Sequence, residues 1–294
     1  MLPKQNSKTT LVKWCKLLLV SKTGSFGIGI VLLVALTALF APVLAPHDAS
    51  EVNLAAASLP PVWLDGGQSE HFLGTDRLGR DLLSRIIYGS QISLLVGISS
   101  VLVAGLIGIP IGLISGYYGG WIDSVFMRIV DANIAIPVIL IALFILGFLN
   151  PSLFMFILVV GIATWYTYAR VVRSEVLSLK EREYVKAAKS IGVKDYMIFL
   201  RHLLPNVTSS IIVISTLSVA TTIMVESSLS FLGLGPSAIT WGALLSDGRE
   251  YLATSWWIAT FPGIAITITV LGIILLGDWL RDVLDPQSQG SARS

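Results

Sequence analysis

The sequence predicts an all-helical integral membrane protein with six membrane-spanning helices. Hydrophobic residues make up 54% of its 294 residues, charged residues make up only 13%, and the mean hydropathy is +0.80. Soluble domains carry about 25% charged residues, and a water-soluble fold has no interior large enough to hide this much apolar surface. Lysine and arginine are also distributed unevenly between the segments that separate the apolar runs. These observations exclude a soluble globular protein.

Six apolar runs are long enough to span a bilayer, since a helix needs about 20 residues to cross roughly 30 Å of hydrocarbon. The predicted spans cover residues 26–45, 92–115, 122–149, 152–170, 206–228 and 257–277. Pro110 and Pro137 predict kinks in the second and third spans. Gly108, Gly112 and Gly116 recur every four residues, which predicts close approach to a neighbouring helix. This spacing is compatible with static packing or with a moving hinge.

The excess of basic residues predicts the orientation of the chain. Residues 1–25 contain lysines and no acidic residue, and the loop 171–205 between the fourth and fifth spans is rich in lysine and arginine. Both segments are therefore expected on the cytoplasmic side. Six spans then return the C-terminus, with its polar tail 287–294, to the same side.

The first apolar run and the basic segment before it have two interpretations, a cleaved signal peptide and an uncleaved membrane anchor. A cleaved signal peptide has an apolar region of about 7–15 residues and a small-residue cleavage site. This run is longer and lacks a good cleavage site, so an uncleaved anchor is favoured.

The basic segment before the first span shows a helical pattern. Leu11, Trp14 and Leu18 share one helical face, which indicates an amphipathic helix on the inner membrane surface. A disordered lysine-rich tail is the alternative.

The segment that starts at Glu183 predicts a short helix outside the bilayer. One narrow stripe is formed at positions i, i+3, i+4 and i+7 by Tyr184, Ala187, Ala188 and Ile191. Gly192 stands where a helix needs a left-handed C-terminal residue, and Pro205 suits the first turn of the next helix. A helix with such a small face is suited to a groove on a partner protein. An ordinary connector is the alternative.

Three charged residues are placed near the membrane. Arg128 and Asp131 lie three residues apart, so they are expected to pair on one helix face at the inner interface, with a gating role as the alternative. Glu226 is expected near the outer end of the fifth span. There it lines the substrate path as a pore or gate residue, or it packs at the outer interface.

Five residues in and after the predicted short helix resemble the coupling loop in the permease subunits of bacterial ABC importers: Ala187, Ala188, Gly192, Leu204 and Pro205. Lys186 departs from the glutamate of that family, and His202 departs from a common isoleucine. The resemblance implies that this short helix docks into a groove of an ATP-hydrolysing subunit.

A second stretch, residues 72–85, resembles the signature of the peptide and nickel branch of these importers, in the form of its "C-type" permease. The residues that carry this outer motif are Gly74, Thr75, Asp76, Gly79, Arg80 and Asp81. Residues 231–235 and 277–286 are similar to the last outer loop and the C-terminus of the family. The resemblance therefore covers about residues 25–286.

The resemblance implies a type I ABC importer permease domain over residues 26–286, in the inner membrane of a bacterium with both termini cytoplasmic. The implied partners are a second permease, two ATP-binding subunits, an extracytoplasmic substrate-binding protein and the lipid bilayer, with no nucleic acid. It implies no enzyme activity and no cofactor in this chain, since ATP and Mg²⁺ bind to partner subunits. The chain contains no P-loop motif, and one cysteine with three separated histidines predicts no metal site.

The predicted function is to form half of a translocation pore for di- and oligopeptides in an ATP-driven importer. The same architecture importing nickel or another small solute is one alternative, although the lack of a path rich in histidine or cysteine favours peptides. An ATP-independent secondary transporter or channel is a second alternative, for which inverted repeats or paired intramembrane carboxylates would be expected. A membrane scaffold is the third.

Overall fold

A computed structural model describes residues 21–148 and 152–284, and its regular elements are all helices. The β-pairing in these ranges is limited to an isolated bridge between Thr75 and Asp81. The predicted all-helical class is therefore confirmed. The amphipathic N-terminal helix and the polar C-terminal tail predicted from the sequence lie outside the described residues.

Twelve α-helices follow one another along the described ranges. They are α1 (Lys22–Leu39), α2 (Ala41–Leu44), α3 (Leu82–Tyr118), α4 (Gly120–Ile134), α5 (Val138–Phe148), α6 (Leu153–Thr164), α7 (Tyr166–Leu179), α8 (Glu183–Ser190), α9 (Asp195–Ile198), α10 (Leu204–Phe231), α11 (Trp241–Gly248) and α12 (Trp257–Leu284). The remaining helical segments are two 3₁₀ turns, Leu54–Ala56 and Arg249–Tyr251, and a π-helical turn, Phe199–Leu203.

Five helical runs in the described ranges are long and apolar enough to cross a membrane. They are α1, α3, α6 with α7, α9 through α10, and α12. The helices α4 and α5 make a sixth if they are counted as one span, but they are bent by 83° at residues 135–137. Pro137 explains the break, because proline lacks a backbone donor and disfavours helical geometry in the residue before it. The third span, predicted at 122–149, is therefore a bent pair of helices.

Several helices are longer than the apolar runs that predicted them, and the two largest extensions are in α3 and α7. The second span was expected to start at residue 92, but α3 begins at Leu82. The fourth was expected to end at residue 170, but α7 continues to Leu179. Hydropathy missed these extensions because they carry charged side chains, which the fold pairs with carboxylates.

The central helix of the bundle is α3, which packs against α1, α6, α7 and α10. It continues as a helix past Pro110, where a kink was predicted. In one half of the bundle, Val96 of α3 shares an apolar cluster with Phe156 and Leu229. The helix α12 closes the bundle through contacts with α1, α10 and α11. Every other spanning helix thus lies against α3, α12 or both.

The glycines of α3 bring its backbone against α7, as their spacing predicted. A Cβ atom at Gly112 would lie only 2.7 Å from the carbonyl oxygen of Ala169, and one at Gly116 only 2.8 Å from the Cβ of Val176. A Cβ at Gly108 would overlap the turn that starts α7. Close contact of this kind stabilises helix pairs in lipid, where no hydrophobic force drives helices together. The arrangement supports static packing of α3 on α7.

We expect Gly112→Val to destabilise the protein by about 1–3 kcal/mol, because the added side chain must push α7 away from α3. Thermal unfolding of the purified chain in detergent measures the loss. Gly29→Val is the matched control, since Gly29 is also a glycine inside a predicted span and a Cβ there meets no atom within 4 Å. Equal melting temperatures for the two variants would contradict the packing role of Gly112.

Candidate functional site

The short helix α8 begins and ends at positions that local chemistry determines. Glu183 lies in its first turn and Lys189 in its last, and each charge is favourable at its end of the helix dipole. Gly192 has a φ angle of +76°, which confirms the left-handed conformation predicted for it. The N–H groups of Gly192 and Val193 donate to the carbonyl oxygens of Lys189 and Ala188, both at 3.1 Å. These two bonds stop the helix sharply.

The exposed face of α8 differs from the predicted stripe in one residue. Tyr184, Ala187 and Ile191 are exposed, and 81% of the Ile191 surface is accessible. Ala188 is buried together with Val185 on the side that faces the bundle. The placement of Ala188 in an exposed stripe was therefore wrong. A helix this short needs a face with which to pack on its own domain, and these two small side chains supply it.

Asp195, at the start of α9, connects this region to the end of α3. Its Oδ1 accepts a hydrogen bond from the hydroxyl of Tyr117 at 2.8 Å, and its Oδ2 accepts one from Tyr118 at 2.9 Å. The ring of Phe199 packs edge-on against both tyrosine rings, at centroid distances of 5.0 and 6.0 Å. The Nζ atom of Lys189 lies 5.6 Å from the centre of the Tyr117 ring. Hydrogen bonds, ring contacts and a cation–π contact therefore hold the chain after α8 to α3.

A second group of polar contacts joins α4 and α7 to the same end of α3. The Nε and Nη2 atoms of Arg173 donate to the two oxygens of Asp123 at 2.5 and 2.6 Å, and the hydroxyl of Ser115 also donates to Asp123. The Nζ of Lys180 donates to the carbonyl oxygen of Gly116 at 2.9 Å. Because a bidentate pair of arginine and carboxylate is strong and directional, it fixes the relative positions of the three helices.

Lys186, the residue that departs from the family's glutamate, pairs with a carboxylate of its own chain. Its Nζ lies 2.8 Å from Oε2 of Glu181, and both side chains are more than half exposed, at 60% and 64%. The hydrogen bond from Lys186 holds the pKa of Glu181 below its ordinary value. Exposed pairs of this kind stabilise a fold little, so Lys186 loses little by contacting another protein.

The start of α10 anchors the other side of this region. Pro205 lies in the first turn of α10, as predicted, where its missing N–H leaves no helical bond unmade. Leu203 is fully buried, and Leu204 packs beside it in the same apolar cluster as Val185. Leu204 and Pro205 therefore secure the helix and do not belong to the exposed face of α8.

The predicted ion pair between Arg128 and Asp131 is wrong, because Asp131 pairs with a different arginine. Asp131 Oδ1 accepts from Nη2 of Arg170 on α7 at 2.9 Å, and no ion pair joins it to Arg128 in the part of the chain that the structure describes. The helix α4 runs beside α7, so a long side chain on the neighbouring helix reaches Asp131. Both partners are more than half exposed, which makes this a surface contact.

At the opposite end of α3, residues 72–85 fold into a compact loop. Gly74 and Gly79 have φ angles of +79° and +72°, which only glycine adopts without strain. Thr75 is fully buried, and its hydroxyl makes backbone hydrogen bonds of 2.5 and 2.8 Å to the preceding part of the loop. The indole N–H of Trp257 donates to the carbonyl oxygen of Thr75 at 3.2 Å. The outer motif thus holds this loop against the starts of α3 and α12.

Asp76 lies at the centre of an ion cluster in the same loop. Its Oδ2 accepts from Nε of Arg80 at 2.7 Å and also from Nη1 of Arg85. Asp247 of α11 approaches both arginines at 3.5 Å. The side chains of Arg85 and Asp76 are only 5% and 3% exposed, so removing Asp76 would leave the buried Arg85 without its close carboxylate partner.

Glu226 is fully buried among hydroxyl groups. Its Oε1 accepts from the hydroxyl of Ser230 at 2.7 Å, and Ser227 donates to Oε2 at 3.4 Å. The hydroxyl groups of Thr240 and Ser93 are also near the carboxyl group. Thr240 precedes α11 and Ser93 belongs to α3, so the carboxyl group lies where three helices meet. This position favours the packing alternative for Glu226.

His47, His71 and Asp81 come together near the start of α3. They are the one group among the described residues with three side chains able to hold a metal ion. The three histidines looked too far apart in the sequence to form such a site. Two of them meet because the long loop between α2 and α3 folds back on itself, which no local pattern indicates.

Comparisons with known proteins cover almost the whole chain. The family model described as "Binding-protein-dependent transport system inner membrane component" matches residues 108–289. A second model, described as the N-terminal TM domain of oligopeptide transport permease C, matches residues 16–61.

Curated relatives agree with both family models. The di/tripeptide transport system permease protein DppC of Pseudomonas aeruginosa is 40% identical over 268 residues, which cover 90% of this chain and 88% of that protein. The dipeptide transport system permease protein DppC of Alkalihalophilus pseudofirmus is 40% identical over 290 residues, covering 97% and 93%. The protein of the same name from Bacillus subtilis is 39% identical over 270 residues, covering 91% and 82%.

We expect Asp195→Ala to loosen the region around α8, because both tyrosine hydroxyls lose their acceptor. The expected loss is about 1 kcal/mol of local stability, seen as faster amide hydrogen exchange over residues 183–192. The double variant Tyr117→Phe/Tyr118→Phe should have the same effect, and adding Asp195→Ala to it should change exchange no further. Unchanged exchange in Asp195→Ala would contradict the anchoring role.

Proposed function

The chain belongs to the family of binding-protein-dependent transport system inner membrane components, and we propose on this premise that it is a permease subunit that imports di- and oligopeptides. Curated relatives that match about nine-tenths of this chain or more carry names of dipeptide and di/tripeptide transport permeases. The observation that carries the mechanism is the exposed stripe of Tyr184, Ala187 and Ile191 on a helix fixed to the bundle.

The chain works as one part of a larger importer. Two ATP-binding subunits bind at the α8 end of the bundle and carry ATP and Mg²⁺. A second permease completes the translocation pore, and an extracytoplasmic binding protein delivers the peptide at the opposite end. The α8 end, the N-terminus and the C-terminus face the cytoplasm of a bacterial cell. The basic residues of the segment 171–205 support this orientation.

The stripe on α8 fits a groove in an ATP-binding subunit. Ala187 lies between the two larger exposed residues, Tyr184 and Ile191, so the backbone of α8 can come close to a partner at this point. Lys186 and Lys189 on the flanks are available to acidic groups at the rim of such a groove. Apolar residues at the centre with charges around them are typical of protein interfaces.

Hydrogen bonds, ion pairs and close backbone packing transmit a movement of α8 to the membrane-spanning helices. The helix follows α7 after a short turn at residues 180–182. The glycine contact holds α7 to α3, and the pair of Arg173 and Asp123 holds α7 to α4. Asp195 links the chain beyond α8 to α3 as well. When ATP binding closes the ATP-binding subunits, they displace α8, and α7 and α3 move with it. The partner must contact α8 differently in its two states for this coupling to do work.

Peptides are favoured over nickel or another small solute because the relatives are named for dipeptide transport. An ATP-independent transporter or channel is distinguished by its independence of any ATP-binding subunit. Purification of the complex from membranes in mild detergent tests this point, because the proposed importer should retain two ATP-binding subunits and hydrolyse ATP when the binding protein is added.

We expect Ala187→Trp to abolish ATP hydrolysis that depends on the binding protein and to remove the ATP-binding subunits from the purified complex. The indole would hold the α8 backbone away from its groove while pointing into solvent in the isolated chain. Copurification and ATPase assays measure the two effects. Ala253→Trp is the matched control for copurification, because Ala253 is also exposed but lies in the loop before α12, at the opposite end of the bundle. Normal assembly and coupling in Ala187→Trp would refute docking through this face.

Orientation is tested separately by cysteine labelling. With the single native cysteine removed by Cys15→Ser, we expect Lys189→Cys to react with a membrane-impermeant maleimide only from the cytoplasmic side. Ala253→Cys should react only from the outside. The reverse pattern would place α8 on the wrong side of the membrane for an ATP-binding partner.

A further inference from the structure

Two imidazole rings and a carboxylate meet in the loop between α2 and α3. One nitrogen of His47, one nitrogen of His71 and one oxygen of Asp81 all lie within 4.8 Å of one another. The two ring centroids are 4.9 Å apart and the ring planes are inclined by 42°. None of these side chains is used in the proposed coupling to ATP hydrolysis.

Each histidine has one ring nitrogen fixed by an oxygen acceptor. The Nε2 of His47 lies 2.8 Å from the carbonyl oxygen of Glu70, and the Nδ1 of His71 lies 3.0 Å from Oδ1 of Asp81. Carbonyl and carboxylate oxygens accept hydrogen bonds, so these two nitrogens carry the protons when the rings are neutral. The free lone pair of His47 is then on Nδ1, and histidines that bind metals are usually oriented in this way, with the other ring N–H donating to a carbonyl or carboxylate oxygen. The proton on Nδ1 of His71 points at Oδ1 of Asp81. An ion that replaces this proton would be bound by both atoms, and the proton of the neutral ring would then be on Nε2.

The framework behind the cluster is tightly bonded. Oδ2 of Asp81 accepts from the backbone N–H and the hydroxyl of Ser84, both at 2.8 Å. The same Ser84 hydroxyl oxygen accepts from the backbone N–H of His47 at 3.0 Å. The side chain of Asp81 is only 1% exposed and that of His71 only 11%. Asp81 caps the first turn of α3, and His47 is bonded to Ser84 in that turn. The first turn of α3 therefore fixes the geometry of the cluster.

We propose that His47, His71 and Asp81 form a binding site for a divalent transition-metal ion, with Zn²⁺ the best fit. Two imidazoles and a carboxylate suit a borderline metal and do not suit Ca²⁺ or Mg²⁺, which prefer oxygen ligands. Ligand atoms around tetrahedral zinc lie about 3.3 Å apart, given bond lengths of about 2.0–2.1 Å. The cluster needs to tighten by up to about 1.5 Å, and the partly exposed His47 ring is the ligand with room to move.

The surroundings give an ion access to this site and give the site a structural role. A cavity of about 410 Å³ lies beside His47 and is lined in part by Asp48 and Tyr88. The bound ion would connect the chain just after α2 to the loop that carries the outer motif, because His47 and His71 lie at opposite ends of the intervening segment. It would thereby hold the loop closed against α3. This role is independent of the proposed function, since it requires neither an ATP-binding subunit nor a peptide.

The test uses the full-length chain, purified in detergent with an affinity tag that lacks histidine, in a Cys15→Ser background. Zinc binding is measured by isothermal titration, and the visible spectrum of bound Co²⁺ reports tetrahedral coordination by nitrogen and oxygen. The parent protein should bind one equivalent of Zn²⁺, and its melting temperature should rise as zinc is added.

Two conservative variants remove the nitrogen ligands and keep the hydrogen bonds of the metal-free protein. His47→Gln places an amide N–H near the position of Nε2, and His71→Asn places one near Nδ1. Each should reduce zinc affinity at least tenfold and abolish the zinc-dependent rise in melting temperature, with little change in the melting temperature without metal. His202→Gln changes the third histidine of the chain, which lies before α10, and should bind zinc normally.

Absence of zinc binding to the parent protein would overturn the proposal, as would zinc binding by His47→Gln and His71→Asn with the affinity of the parent protein. If those variants do not fold, zinc K-edge absorption on the parent protein gives the answer. Two imidazole ligands at about 2.0–2.1 Å support the site, and a shell of oxygen ligands without imidazole overturns it. Failure of this site would leave the coupling through α8 untouched.

Discussion

The close approach of α3 and α7 is the contact on which the rest of the structure depends. In lipid, two helices gain little by burying apolar side chains against each other, so their association depends on how near their backbones come. Gly108, Gly112 and Gly116 allow that approach, and the contacts of Arg173 with Asp123 and of Lys180 with Gly116 form because α7 is so near. Since α8 follows α7 after a single short turn, the position of the exposed stripe is set by the same contact.

The two ends of α3 meet the same physical requirement with different residues. A charge or hydroxyl group removed from water must be paired, or its burial costs several kcal/mol. At the α8 end, Asp195 and Asp123 accept from tyrosine, serine and arginine; at the other end, Asp76 and Asp81 do so from arginine, histidine and serine. The central helix is thus fixed at both ends. A displacement at α8 can then be transmitted along it, because neither end is free to absorb the motion.

The motifs that indicate the family turn out to have several physical roles. Gly192 serves to end a helix, Ala188 packs α8 on its own domain, and only Ala187 lies on the exposed face. The outer motif of Thr75 and Asp76 joins a loop to two helices through buried hydrogen bonds and ion pairs. The spacing of the motif residues identifies the family because the whole set is compared at once. The spacing does not show which motif residues contact a partner, since that depends on which face of the helix the bundle covers.

The sequence by itself determined the helical class, the positions of the membrane-spanning segments, the break at Pro137 and the left-handed turn at Gly192. These features depend on hydropathy over about twenty residues or on the backbone preferences of one residue, and both are local. The tertiary structure alone decided that Asp131 pairs with Arg170, that two tyrosines of α3 bind Asp195, that Glu226 is buried, and that His47 meets His71. Those outcomes depend on which surfaces face each other after distant segments of the chain have packed together, and a local pattern carries no information about that.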